Sequence, residues 1–253
     1  MERASARGYD AIAFDRPGYG YSERPPRDQA APADQARLIH GALKRMGVEK
    51  PIIVGHSWSA LLALTYALQY PDGVAGVVTL AGAMYKDSYP AEHGDPISRL
   101  AAAPVVGTIF LNTVLRSPLG TALARSFVRQ TFAPEPAPEG YREAALALWL
   151  RPGQFRANRE DILAFPPAAL EASRHYRGIR CPVVIVVGED DPFGTREQAA
   201  RLKRDIPHAV LKEIPRIAHM IPQLHPEPAL EAIDTVRKLS GAAAVKSISS
   251  ETL

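Results

Sequence analysis

One serine lies at a point in the chain where it could act as a nucleophile. Ser57 falls in "IIVGHSWSALL" (52–62), between an apolar β-branched run and a pattern with helical spacing. A sharp strand-to-helix turn exposes a serine hydroxyl for attack, and small neighbours are needed where strand and helix nearly touch. Gly55 meets that need, whereas Ser59 replaces the usual glycine, so we expect strain there. The stretch alone also fits an ordinary serine at a turn, with His56 packed beneath it.

A nucleophilic serine needs a base, and the base needs an acid to orient it. Asp190 and Asp191 follow the apolar run "VVIVVG", at the strand end where parallel sheets place their sites. His219 follows another strand-like run, in a loop before the last helical pattern. Taken alone, the two aspartates would also fit a solvated acidic turn, and His219 would also fit an ordinary position at the surface. The order serine, aspartate, histidine, with each residue just after a strand, indicates acyl-transfer chemistry.

The elements that would position these residues alternate between strand-like and helical patterns. This alternation predicts a mostly parallel α/β sheet flanked by helices. The predicted strands are 10–15, 51–55, 74–82, 182–188 and 209–214. The predicted helices lie at about 33–46, 58–70, 195–204 and 226–239.

Residues 83–178 break the alternation, and they read as several helices with proline-rich joints, of which "FAPEPAPEG" is the clearest. We interpret them as a helical lid inserted between two parts of an α/β core, 1–82 and 179–239. The tail, 240–253, has no apolar periodicity and is predicted to be disordered.

Composition narrows the class of protein. The chain has 253 residues, of which 46% are hydrophobic and 23% charged, as in a globular domain with a sizeable core. The net charge is +3 and the basic residues are scattered, which argues against a nucleic-acid-binding stripe. A single cysteine, Cys181, excludes an internal disulfide, and no Cys/His cluster has metal-ligand spacing.

Nothing in the sequence reads as a membrane or targeting segment. The apolar run "APVVGTIFLNTVL" is too short to span a bilayer, and the start, "MERASARG", lacks the apolar region of a signal peptide. A cytoplasmic location is therefore the default expectation.

Taken together, these motifs resemble the α/β-hydrolase fold family over almost the whole chain. "FDRPGYGYS" (14–22) is similar to the family's Asp-x-Pro-Gly-x-Gly-x-Ser turn, "GHSWS" to its nucleophile elbow, and 83–178 take the place of its lid. "GEDD" matches its Gly-x-x-Asp acid turn, a spacing that favours Asp191 over Asp190. "AHMIPQLHPE" resembles the region around its catalytic histidine, with Ala218 in place of the usual glycine.

The resemblance implies a serine hydrolase of esterase type that needs no cofactor. Ser57 would attack a carbonyl carbon, His219 would move the proton, and Asp191 would orient the imidazole. The backbone N–H of Trp58, the residue after the nucleophile, would be one oxyanion donor. The apolar stretches "APVVGTIFLNTVL" and "AALALWL" could line a pocket for a small, apolar acyl substrate.

Other functions stay open at this point. Haloalkane dehalogenases and epoxide hydrolases share the fold but place an aspartate at the elbow, so Ser57 argues against both. A cofactor-free haloperoxidase or a C–C bond hydrolase would keep the same triad. A truncated or inactive relative that acts as a binding protein is the alternative from a different class.

The resemblance also carries an expectation about the start of the chain. In the family, three strands and a His-Gly loop precede the segment similar to "ARGYDAIAFD", and that loop supplies the second oxyanion donor. We therefore expect the chain as written to be N-terminally incomplete and its activity to be impaired.

Overall fold

The computed structural model describes residues 1–24, 29–87, 89 and 91–241. Most of the tail predicted to be disordered, residues 242–253, lies outside this described part of the chain. A short helix, α1 (Glu2–Ser5), begins the chain.

Within the described residues, four parallel strands form the sheet, in the spatial order in which they occur along the chain. They are β1 (Ile52–His56), β2 (Gly76–Leu80), β3 (Val183–Gly188) and β4 (Val210–Ile214). Each lies within or within one residue of a predicted run, so these four strand predictions are confirmed. The parallel register brings the carboxyl ends of all four strands to one edge of the sheet. The loops that follow β1, β3 and β4 therefore start at the same edge.

The predicted strand at 10–15 is wrong. Residues 9–16 adopt no regular secondary structure, and Ile12 and Phe14 are 38% and 37% exposed. An apolar run of this kind becomes a strand only where a neighbouring strand supplies ladder bonds. Within the described residues, β1 pairs with β2 alone, and Val54 on β1 is 42% exposed. The segment therefore has no ladder to join.

Helices cover the two faces of the sheet, and the apolar side chains alternate along each strand accordingly. One face packs against α2 (Pro32–Arg45), α3 (Ser59–Gln69) and α9 (Thr195–Asp205) through residues such as Val77 and Ile185. The opposite face packs against α11 (Pro226–Ser240) through Val78 and Val184. The short helix α10 (Ile221–Leu224) precedes α11. The four predicted helices correspond to α2, α3, α9 and α11.

Between β2 and β3 the chain forms a helical segment, as the breaks in alternation predict. Its helices are α4 (Pro96–Ala102), α5 (Val106–Thr113), α6 (Pro118–Phe132), α7 (Glu139–Trp149) and α8 (Pro152–Ser173), followed by a 3-10 turn at Tyr176–Gly178. The stretch "FAPEPAPEG" joins α6 to α7. Among the helices of the described residues, none combines the length and apolar character that crossing a membrane requires.

Candidate active site

Ser57 occupies the turn between β1 and α3, and its backbone is left-handed, with φ of 54°. A residue with a side chain rarely adopts this region, at a cost of roughly 1–3 kcal/mol, unless its surroundings enforce it. Here the enforcing contacts come from the end of β2, from the loop that follows it and from the first turn of α3. The Ser57 N–H donates to the Leu80 carbonyl at 2.9 Å, and the N–H groups of Ala60 and Ala83 donate to the Ser57 carbonyl at 3.0 and 3.1 Å.

Gly55 permits this turn because the backbone at the start of helix α3 lies too close to leave room for a side chain at position 55. A Cβ at position 55 would lie 2.1 Å from the backbone oxygen of Ser59, far inside van der Waals contact. Ser59 itself takes the first position of α3 and has no positive φ. The strain expected at Ser59 is therefore found at Ser57 instead.

Replacing Gly55 by alanine is expected to damage both folding and the turn. Overpacking of this kind costs about 1–3 kcal/mol, or a fall in Tm of roughly 2–12 °C for a chain of this size. Gly41→Ala in α2 is the matched control, since no atom lies within 4 Å of a Cβ there and alanine favours a helix. Thermal unfolding of both variants tests this, and equal Tm values for the two would contradict it.

His219 lies between the serine and one of the two aspartates. Its Nε2 lies 3.0 Å from the Ser57 Oγ, and its Nδ1 lies 2.8 Å from Oδ2 of Asp191. The His219 and Asp191 side chains are only 6% and 0% exposed. With the proton on Nδ1, His219 donates to Asp191 and its Nε2 accepts the serine hydroxyl. The three residues thus have the geometry of a nucleophile, a base and an orienting acid.

Asp191 is held by more than the histidine. Its Oδ1 accepts the Phe193 N–H at 2.9 Å, and its Oδ2 accepts the Thr195 hydroxyl at 2.7 Å. Burial alone would raise the pKa of Asp191, but the hydrogen bonds from His219, Thr195 and the Phe193 N–H together lower it below the ordinary value. Asp190 is exposed at the surface. The structure therefore brings Asp191 to the histidine and leaves Asp190 outside.

Trp58 follows Ser57 and has contacts that the sequence did not indicate. Its indole N–H donates to the Asp161 carbonyl of α8 at 3.2 Å, and the Arg16 guanidinium lies 4.3 Å from the centre of its ring. Its backbone N–H donates no hydrogen bond to any acceptor in the described part of the chain. That leaves the N–H free to bind an oxygen of a ligand beside Ser57.

His56 does more than pack beneath the turn. Its Nε2 lies 2.8 Å from the backbone oxygen of His219, so this nitrogen carries the proton and donates. The two imidazole rings are tilted, with centres 5.0 Å apart. Burial, then the nearby charge of His219, lowers the pKa of His56 to about 4.

A buried ion cluster joins the helical segment to the loop near Ser57. Asp161 on α8 has a side chain only 1% exposed, and its Oδ2 lies 2.5 Å from Arg16 and accepts the Tyr19 hydroxyl at 3.0 Å. Its other oxygen pairs with Arg24 and accepts the side-chain amide of Gln35. The only sequence signal for this cluster was an arginine-containing turn, "DRPGYGYSER", and its partner Asp161 lies 145 residues along the chain from Arg16.

The two apolar stretches of the helical segment have different surroundings. "AALALWL" supplies Ala144, Ala145, Leu148 and Trp149 to a cleft of about 240 Å³ between α6 and α7. "APVVGTIFLNTVL" instead supplies Leu111 and Leu115 to a small core inside the segment. Of the two stretches, the first therefore contributes to the lining of this cleft.

Comparison with known proteins places the chain in a family. The model of the alpha/beta hydrolase fold matches residues 1–226. An uncharacterized hydrolase of Bacillus subtilis, YugF, is 26% identical over 222 residues, which cover 87% of this chain and 77% of that protein. The 2-hydroxy-6-oxo-6-phenylhexa-2,4-dienoate hydrolase of Burkholderia cepacia is 24% identical over 227 residues, which cover 85% of this chain and 72% of that protein.

A solved structure agrees with this assignment at the level of the fold. The esterase EaEST from Exiguobacterium antarcticum superposes with a TM-score of 0.72 at 17% identity, covering 94% of this chain and 84% of the esterase. At that identity the likeness shows the fold alone. With the family model matched over most of its length, the chain belongs to the α/β-hydrolase family and is an enzyme of the hydrolase type.

Proposed function

We propose that the protein is a serine hydrolase of esterase type, acting on a carboxylic ester or a similar acyl compound. The observation that carries this proposal is the unbroken chain of contacts from the Ser57 Oγ through His219 to Asp191, at 3.0 and 2.8 Å. Nucleophile, base and acid each lie within hydrogen-bond reach of the next, as acyl transfer requires.

The reaction begins when the Ser57 Oγ attacks the substrate carbonyl carbon and His219 Nε2 takes the hydroxyl proton. Asp191 stabilises the imidazolium that forms, and it holds the Nδ1–H tautomer that leaves Nε2 free to accept. His219 then returns the proton to the leaving alcohol, which departs from the acyl-enzyme. Water activated by the same histidine releases the acid and regenerates the serine.

The negative charge that develops on the carbonyl oxygen needs donors fixed in advance. Two observations support this role for the Trp58 N–H: it follows the proposed nucleophile at the start of α3, and it has no acceptor among the described residues. One such donor contributes about 3–4 kcal/mol to the stability of a transition state. The indole contact with Asp161 supports this placement, because it holds Trp58 from the side of the helical segment.

The substrate is proposed to be a small and largely apolar acyl compound. The cleft between α6 and α7 supports this proposal, since Phe132 and Trp149 are among its lining residues. Phe132 also packs with Met220, the residue after His219. We further propose that α4–α8 act as a lid, whose apolar side chains shield the reacting carbonyl from water.

A second candidate function is hydrolysis of a carbon–carbon bond with the same residues. The observation that favours it is the similarity to the Burkholderia cepacia hydrolase of 2-hydroxy-6-oxo-6-phenylhexa-2,4-dienoate. Turnover of that dienoate and of a short-chain nitrophenyl ester, measured side by side, separates the two. A higher kcat/KM on the ester supports the first proposal, and a higher value on the dienoate supports the second.

The acid is tested by two neighbouring asparagine variants. Asp191→Asn is expected to lower kcat on the nitrophenyl ester by about 10⁴-fold, because an amide favours the wrong imidazole tautomer. Asp190→Asn is the matched control and should stay near the wild-type rate, since Asp190 is exposed. If Asp190→Asn were the damaging change, Asp190 would be the acid and the proposed role of Asp191 would be wrong.

A further inference from the structure

We propose that His56 is a positioning residue, which holds the backbone of the catalytic base His219 in register with the nucleophile Ser57. The inference rests on the proposed function of Ser57 and His219. It depends on one contact that joins the end of β1 to the loop carrying His219, the hydrogen bond from His56 Nε2–H to the His219 backbone oxygen at 2.8 Å.

The backbone that carries His219 turns sharply, so its direction needs support. The His219 carbonyl also accepts the Ile221 N–H at 2.9 Å, and the residue between them, Met220, has φ −88° and ψ 52°. These are the features of an inverse γ-turn, a three-residue turn with a single internal bond. Because His56 donates to the same oxygen, it fixes the plane of the peptide that follows the base.

The position of His56 at the end of a strand allows it to hold the His219 backbone accurately. It is the last residue of β1 and precedes Ser57 directly, while the β2 register pairs it with Leu80. The nucleophile and the anchor of the base are therefore consecutive residues at the end of one strand. A shift of one loop relative to the other would change the distance from Oγ to Nε2, and small misplacements of reacting groups cost large factors in rate.

The electrostatic surroundings keep His56 neutral, so the protonation state of the donor in this hydrogen bond does not change. The titratable groups that face His56 are the His219 imidazole, 5.0 Å away between ring centres, and the Asp191 carboxylate behind it. Burial, with the charge of His219, holds the pKa of His56 at about 4. His56 is therefore neutral near pH 7, and it adds no positive charge beside the base.

A leucine and a glutamine at position 56 separate positioning from packing. His56→Leu fills the space but donates nothing, whereas the side-chain N–H of glutamine can reach the same acceptor. The rate of fluorophosphonate labelling of Ser57, followed from pH 5 to pH 9, is expected to fall about tenfold or more in His56→Leu. It should recover to within about threefold of wild type in His56→Gln.

His40 supplies a matched control. It is also partly buried, and its Nδ1 bonds the Tyr66 hydroxyl at 3.0 Å, but it lies on α2 away from the three candidate residues. His40→Leu should lose some stability and keep the labelling rate. Equal rates for wild type and His56→Leu, or equal losses in His56→Gln and His56→Leu, would overturn the positioning role.

A measurement that needs no activity separates this inference from the proposed function. Long-range 1H–15N spectra of the wild-type protein should show His56 as the neutral tautomer with its proton on Nε2, from pH 8 down to pH 5. The opposite tautomer overturns the inference whatever the labelling shows. The expected tautomer in a protein that the probe does not label would instead overturn the proposed function and leave the contact between His56 and His219 standing.

Discussion

A fluorophosphonate probe is expected to label the wild-type protein at Ser57, and Ser57→Ala is expected to abolish that labelling. Ester turnover should fall by roughly 10⁴- to 10⁶-fold in the same variant, as it does when the nucleophile of a serine triad is removed. The cause is direct, since the variant removes the Oγ that lies 3.0 Å from His219 Nε2. Peptide mass spectrometry of the labelled protein identifies the modified residue.

Ser59→Ala is the control for this experiment, because Ser59 lies in the same turn but begins α3. It should be labelled at close to the wild-type rate. Labelling of wild type and Ser57→Ala to the same extent would remove Ser57 as the nucleophile. It would also favour the alternative class of function, a binding protein with the fold of an enzyme.

The largest effect on stability is expected at Asp161. Asp161→Asn should lower the free energy of unfolding by about 3–5 kcal/mol, because removing the central carboxylate of a buried ion cluster leaves a buried charge uncompensated. Arg16, 18% exposed, loses its carboxylate partner, whereas Arg24, 10% exposed, keeps its ion pair with Glu160 at 2.8 Å. Urea unfolding followed by circular dichroism measures the change.

An exposed ion pair provides the comparison. Asp87 pairs with Arg201 at 2.5 Å, but the two side chains are 66% and 41% exposed. Asp87→Asn should therefore change stability by less than about 1 kcal/mol. Similar losses for Asp87→Asn and Asp161→Asn would mean that burial does not distinguish the two sites, contrary to our interpretation of the cluster.

The parts of the molecule that the sequence predicted well are those with local signals. β1, the Ser57 turn and α3 are consecutive, so an apolar run, small residues and a helical pattern identify the turn without any knowledge of the rest of the chain. Asp191 and His219 each follow a strand in the same way. Because the strands are parallel, their ends meet at one edge of the sheet, which is why the structure brings these three residues together.

The parts that the sequence did not predict depend on partners far along the chain. His56 reaches a carbonyl 163 residues away, and Arg16 reaches a carboxylate 145 residues away, so neither pairing leaves a pattern in its own neighbourhood. The strand expected at 10–15 failed for a related reason. Its apolar composition was a local signal, but a strand forms only where another strand lies beside it.

The left-handed backbone at Ser57 has a consequence for how this chain could change in evolution. Glycine would adopt φ of 54° without the penalty that a β-carbon brings, so a Ser57→Gly change would relieve strain and raise stability. A lineage with no use for a hydroxyl at this turn could gain stability by a single substitution there. Keeping a serine at this position therefore carries a cost in stability that glycine would avoid.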